Sequence, residues 1–98
     1  MRTDVAFDGI EPSTELEAAV VRWAARLEHV WPIEHCAVRL RVRSHLWGLI
    51  KRARVELTVD DALRVTREVT FHHQHDLYPL VSDGFRDARR QLVGALAR

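Results

Sequence analysis

One cysteine, Cys36, stands alone in a sequence of 98 residues, so no internal disulfide can form and a reducing cytoplasm fits best. No apolar run approaches the ~20 residues needed to cross a bilayer. The first residues lack the basic-then-apolar pattern of a signal peptide, so an unexported protein is expected. Gly-rich phosphate loops, a Ser-His-Asp set and paired acid–base carboxylates are all missing, and an enzyme is not expected. Internal repeats and low-complexity linkers are missing too, and residues 1–98 are read as a single domain.

What remains is 47% apolar and 30% charged, the composition of a soluble globular protein. The net charge of +1 argues nothing about nucleic acid, but its distribution does. Residues 1–35 hold 3 arginines against 7 acids, whereas residues 36–75 hold 7 arginines and Lys51 against 4 acids. The middle of the chain is the basic region.

The apolar pattern alternates between two periods. Residues 3–7 read as a first strand with Val5 and Phe7 on one side, left through Gly9 and Pro12. Ser13 is placed to cap a helix from about Thr14 to Glu28, with Thr14 and Glu17 offering a capping box one residue later. Leu16, Val20, Trp23, Ala24 and Leu27 share one face of it. Pro32 ends that segment and Trp31 closes over the core. From Cys36 to Arg43 the period becomes two: Cys36, Val38, Leu40 and Val42 inward, Arg39, Arg41 and Arg43 outward. Residues 52–59 repeat it, with Ala53, Val55, Leu57 and Val59 inward and Arg52, Arg54, Glu56 and Thr58 outward. Asp60 and Asp61 turn the chain into a strand over 62–71, with Leu63, Val65, Val69 and Phe71 inward. Arg67 breaks that inner row, which places it near a sheet edge or end. Asp76 is read as the cap of a second helix whose buried stripe is Leu77, Leu80, Val81, Phe85, Ala88 and Leu92. Pro79 falls in its first turn, where proline is tolerated. The fold class is α/β (α+β), in the order β-α-β-β-β-α: a four-stranded mixed sheet with both helices packed on one face.

Five groups of residues could carry chemistry. Arg39, Arg41 and Arg43 neighbour Arg52 and Arg54 on the outer sheet face; such a row binds a polyanion without reading sequence, or is simply a solvated face. Arg22 and Arg26 form a short stripe on the first helix, and Arg86, Arg89 and Arg90, with Arg98 beyond them, line the second; both stripes also read as ordinary helix surface. His72, His73 and His75 beside Asp76 match a zinc site poorly, lacking cysteine partners and ligand spacing, and a polar loop explains them better. No metal or cofactor is expected. Cys36 points inward, where it acts as a small apolar residue, and no base is assigned to activate it. The apolar loop Ser44–Ile50, with Trp47 at its tip, either marks an interface for weak self-association or folds back over the core.

His72-His73-Gln74-His75-Asp76-Leu77-Tyr78, followed by Arg89-Arg90-Gln91-Leu92, resembles the closing helix of the bacterial ribosome hibernation-promoting factor and ribosome-associated translation inhibitor family, also called the sigma-54 modulation protein family, in its short form. The similarity extends to Val5–Ile10, to Glu11-Pro12-Ser13-Thr14-Glu15-Leu16, to Ala25-Arg26-Leu27-Glu28 and to the hairpin around Val55-Glu56-Leu57-Thr58-Val59. Pro79, Ser82 and Gly84 depart from the family's last helix, and the apolar Trp47 loop replaces a polar, basic one. The resemblance implies a cytoplasmic, non-enzymatic factor of stressed or stationary-phase cells. Such a factor occupies the messenger and transfer RNA channel of the small ribosomal subunit through contacts to ribosomal RNA, and no membrane is involved. By position it implies Arg22, Arg26, Arg86, Arg89 and Arg90 as RNA contacts; Arg39, Arg41 and Arg54 are added from the strand alternation. The alternative is a diverged protein-interaction module of the same fold that no longer binds ribosomes.

Overall fold

A computed structural model describes residues 1–96; Arg98 lies outside the described residues. The chain runs β1 (Arg2–Asp8), α1 (Thr14–Glu28), β2 (His35–His45), β3 (Ile50–Val59), β4 (Leu63–Thr70) and α2 (Leu77–Leu96). The strands lie in sequence order, β1 parallel to β2 and the rest antiparallel. The mixed sheet follows from chain economy: α1 carries the parallel crossover, while tight turns suffice for the two hairpins.

One face of the sheet is sealed by both helices. Cys36, Val38, Leu40 and Val42 of β2 and Ala53, Val55, Leu57 and Val59 of β3 are all buried, as the period of two requires. They pack against Leu16, Val20, Ala24 and Leu27 of α1 and the Leu77-to-Leu92 stripe of α2. Ala19 of α1 and Ile33 before β2 join them without having been expected. Trp23 and Trp31 are half-buried at the rim.

The end of α1 matches the expected boundary, and Ser13 Oγ accepts the Leu16 N–H at 3.2 Å. Ser13 makes the cap; the Thr14–Glu17 box does not. The start of α2 differs more. A 3-10 turn, Gln74–Asp76, precedes it, and the Asp76 carboxylate turns backward to accept the N–H groups of His72 and His73, both at 2.9 Å. Those two bonds hold the Asp76 carboxyl below its ordinary range. Asp76 therefore stabilises the entrance to α2 and does not cap its first turn.

β4 is the second departure. It ends at Thr70 and, of the four expected inward residues, only Val65 is buried; Val69 is 37% exposed. The physical reason is that β4 is an edge strand, with a neighbour on one side only. Arg67 lies on the helix-covered side, opposite buried Val55. Its guanidinium reaches α2, with Nε 2.5 Å from Asp87 Oδ2 and NH1 3.5 Å from Asp83 Oδ2. A charged residue interrupts the apolar row because a helix supplies its counter-charges.

Two glycines set close approaches. Gly9 has φ +75, and a Cβ there would stand 2.1 Å from the Val42 carbonyl oxygen. Gly84 is buried in α2, and its Cβ would sit 3.5 Å from Val55 Cγ1. The helix runs unbroken across it.

Candidate nucleic-acid interface

The helix side carries a groove of about 420 Å³ between α1 and α2. Its floor is aromatic: Trp23 from α1 and Phe85 from α2 meet at 6.2 Å with ring planes tilted by 39°. Arg26, Arg86 and Arg89 stand on its walls, with His29 and Ser82. Helical spacing explains the convergence, since Arg26 and Leu27 adjoin Trp23 one turn on, while Arg86 and Arg89 flank Phe85. Arg26 also lies in the last turn of α1, where a cation complements the helix dipole.

Of the five helix arginines expected to act together, these three line the groove. Arg22 is exposed outside it, and Arg90 lines a separate shallow hollow with Gln91 and Gly94. Their freedom differs. Arg86 lies 3.6 Å from Asp83 and Arg90 3.8 Å from Asp87. Arg26 and Arg89 make no ion pair among the described residues.

The outer sheet face is basic but largely compensated. The register sets Arg41 opposite Arg54 and Arg43 opposite Arg52, so like charges face each other across β2 and β3. Neighbouring acids offset them: Asp8 stands 3.3 Å from Arg41, Glu56 3.6 Å from Arg54 and Glu68 3.8 Å from Arg52. Arg41 Nε is buried and faces Asp8 without hydrogen-bond alignment. Arg39 faces Glu56 across the strands and lines a hollow with it, apart from the other arginines. Arg41, Arg43, His45, Arg52, Arg54 and Glu68 enclose a cleft of about 250 Å³. Of the arginine row expected on this face, Arg41, Arg43, Arg52 and Arg54 come together in the cleft and Arg39 does not, because the register sets it opposite Glu56.

The hairpin tip stays away from the core. Trp47 is 102% exposed, Leu49 84% and Leu46 62%. Leu46 and Trp47 both take left-handed backbone, at φ +51 and +60, before Gly48 at +87. That run carries the indole outward, so the loop does not fold back over the core.

The remaining candidates do not form reactive sites. His73 and His75 stack at 4.6 Å, and His73 Nδ1 accepts the His75 N–H at 3.1 Å, which makes this a turn-stabilising pair. Among the described residues no three His, Cys, Asp or Glu side chains group as metal ligands. Cys36 is fully buried, and desolvation, with the Asp60 charge second, pushes its thiol up to about 11. His35 points the other way, with Nε2 2.7 Å from Asp4 Oδ2. No helix among the described residues is long and apolar enough to cross a membrane.

No protein-family model and no curated protein matches this sequence. Among the solved structures that share its fold are the two that follow. A ribosomal subunit interface protein from Coxiella burnetii superposes with a TM-score of 0.63 at 15% identity, over 100% of both chains. The N-terminal domain of Protein Y from Thermus thermophilus does so with a TM-score of 0.58 at 15% identity, over 94% of this chain and 96% of that one. The architecture expected from the resemblance is thus the one found.

Proposed function

We propose that this protein is a non-enzymatic, cytoplasmic ribosome-binding factor that inhibits translation in idle cells by occupying the messenger and transfer RNA channel of the small subunit. The observation that carries the reading is the inter-helix groove, where Arg26, Arg86 and Arg89 converge over Trp23 and Phe85. It is supported by the fold shared with a protein named for the ribosomal subunit interface.

The mechanism is steric filling plus charge. Guanidinium forks match phosphate oxygens, and each phosphate they neutralise releases condensed counterions. Three engaged arginines give a slope of log affinity against log salt of about −2.1 to −2.7, so affinity falls about 18- to 40-fold between roughly 50 and 200 mM salt. Arg26 and Arg89 contribute more than Arg86, because Arg86 must first loosen its contact with Asp83. Arg22 and Arg90 extend the basic field around the groove; of the sheet arginines, Arg41 and Arg54 are held by Asp8 and Glu56 and Arg39 stands apart beside Glu56, so these three contribute least.

The test is co-sedimentation with purified small subunits across a salt series, with Arg26→Glu/Arg89→Glu beside Arg39→Glu/Arg41→Glu. Salt-sensitive pelleting lost only in the helix variant is expected. Pelleting that is absent at low salt, or indifferent to salt, refutes the reading. A second reading, a protein-interaction module that has lost the ribosome, draws on the projecting Trp47. It requires concentration-dependent dimerisation that Trp47→Asp abolishes, with no affinity for RNA.

A further inference from the structure

The end of the β2–β3 hairpin combines two features that the ribosome reading leaves unused. One is a fully solvated indole, Trp47, held outward by left-handed backbone at Leu46 and Trp47 and by the Gly48 N–H donating to the His45 carbonyl at 3.2 Å. The other is the cleft on the same hairpin, where Arg43 faces Arg52 and Arg41 faces Arg54. We infer that the hairpin end is a grip for single-stranded RNA, in which Trp47 stacks on an unpaired base while the cleft arginines, Arg43 and Arg52 foremost, take the adjoining phosphates.

Charge decides among the occupants of an exposed apolar tip. Lys51, Arg43 and Arg52 flank the tip, no acid lies between Arg43 and Arg54 in the sequence, and the acid that lines the cleft, Glu68, stands 3.8 Å from Arg52, which must loosen that contact to take a phosphate. Two such tips docked symmetrically would bring these cations together, which opposes pairing of copies. An anionic bilayer would engage the tip yet leave the cleft behind it empty. A single strand offers both an open base face for the indole and a chain of phosphates for the guanidiniums. Arg41 and Arg43, two residues apart on β2, repeat at ~7 Å, a spacing suited to successive phosphates of an extended strand. In a duplex the bases are stacked on one another and offer no face to the indole. The grip stands on the hairpin alone; only the choice of RNA over DNA rests on the function proposed above.

The experiment titrates the whole protein into a labelled uridine homopolymer and, separately, into an RNA duplex of equal length, reading anisotropy and tryptophan emission. Binding that prefers the single strand and quenches the exposed indole is expected. Trp47→Leu, which touches no buried residue, should leave the melting temperature unchanged and weaken single-strand binding about tenfold. Arg43→Ser/Arg52→Ser should flatten the salt slope by about 1.4, the share of two phosphates. The inference is overturned by equal affinity for duplex and single strand, by indifference to Trp47→Leu, or by a Trp47-dependent self-association or binding to phosphatidylserine vesicles without RNA affinity. Small-subunit pelleting by Trp47→Leu separates the two proposals: pelleting retained with no uridine affinity in wild type sinks this one alone.

Discussion

Substituting alanine at Gly9 and at Gly84 should move stability in opposite directions, for reasons visible in the two contacts. At Gly9 the backbone is left-handed, which costs a residue with a Cβ about 1–2 kcal/mol. The new Cβ would also stand 2.1 Å from the Val42 carbonyl oxygen. Carbon–oxygen contacts settle at about 3.3 Å or beyond, so the β1 exit and β2 must part by roughly 1 Å, at about 1–3 kcal/mol. The total loss is about 2–5 kcal/mol against a domain stability of about 5–15 kcal/mol. At about 4–8 °C per kcal/mol, melting should fall by about 10–20 °C or more. At Gly84 the added Cβ meets only Val55 Cγ1, at an ordinary 3.5 Å. The helix then gains about 0.8–1 kcal/mol from the better residue, and melting rises by about 4 °C or more. Urea and thermal unfolding followed by circular dichroism reads both. A Gly9→Ala loss smaller than about 1 kcal/mol, below the backbone term alone, would refute the close-approach argument. A destabilising Gly84→Ala would refute the claim that α2 has room over β3.

Two further predictions concern titratable groups. The Asp87 carboxyl is held below its ordinary range first by the hydrogen bond from Arg67, against the opposing effect of burial. Its folded pKa lies below its unfolded value, so the bridge contributes fully above about pH 3.9 and fades as pH falls through the folded pKa. Asp87→Asn should therefore melt lower than wild type near neutrality, with the gap closing in acid; a gap unchanged by acid contradicts the assignment. Cys36, buried and titrating at about 11, should resist a thiol reagent at neutral pH until denaturant is added. Rapid labelling of the native protein would place that side chain elsewhere.

The elements legible from sequence are those whose pattern is local. The α1 boundaries follow from Ser13 and the recurrence of Leu16, Val20, Ala24 and Leu27, and β2 and β3 follow from strict alternation. What stayed hidden depends on partners distant in the chain. Arg67 looks like an interruption until α2 brings Asp83 and Asp87 over it. The groove could not be drawn, because Arg26 and Arg89 meet only through the contact of Trp23 with Phe85. Asp76 has the composition of a helix cap, and only the backbone path shows it reaching back to His72 and His73. The direction of Trp47 depends on left-handed conformations that neither Leu46 nor Trp47 favours by itself.

The ion pairs of Arg67 bear on what cannot happen to this sheet. β4 leaves one row of backbone donors and acceptors open, and an open row invites a strand from another molecule. An incoming strand would have to set a side chain beside a guanidinium already committed to α2, on the side where an apolar neighbour would gain most. The residue that ties helix to sheet thus also guards the β4 edge against an added strand.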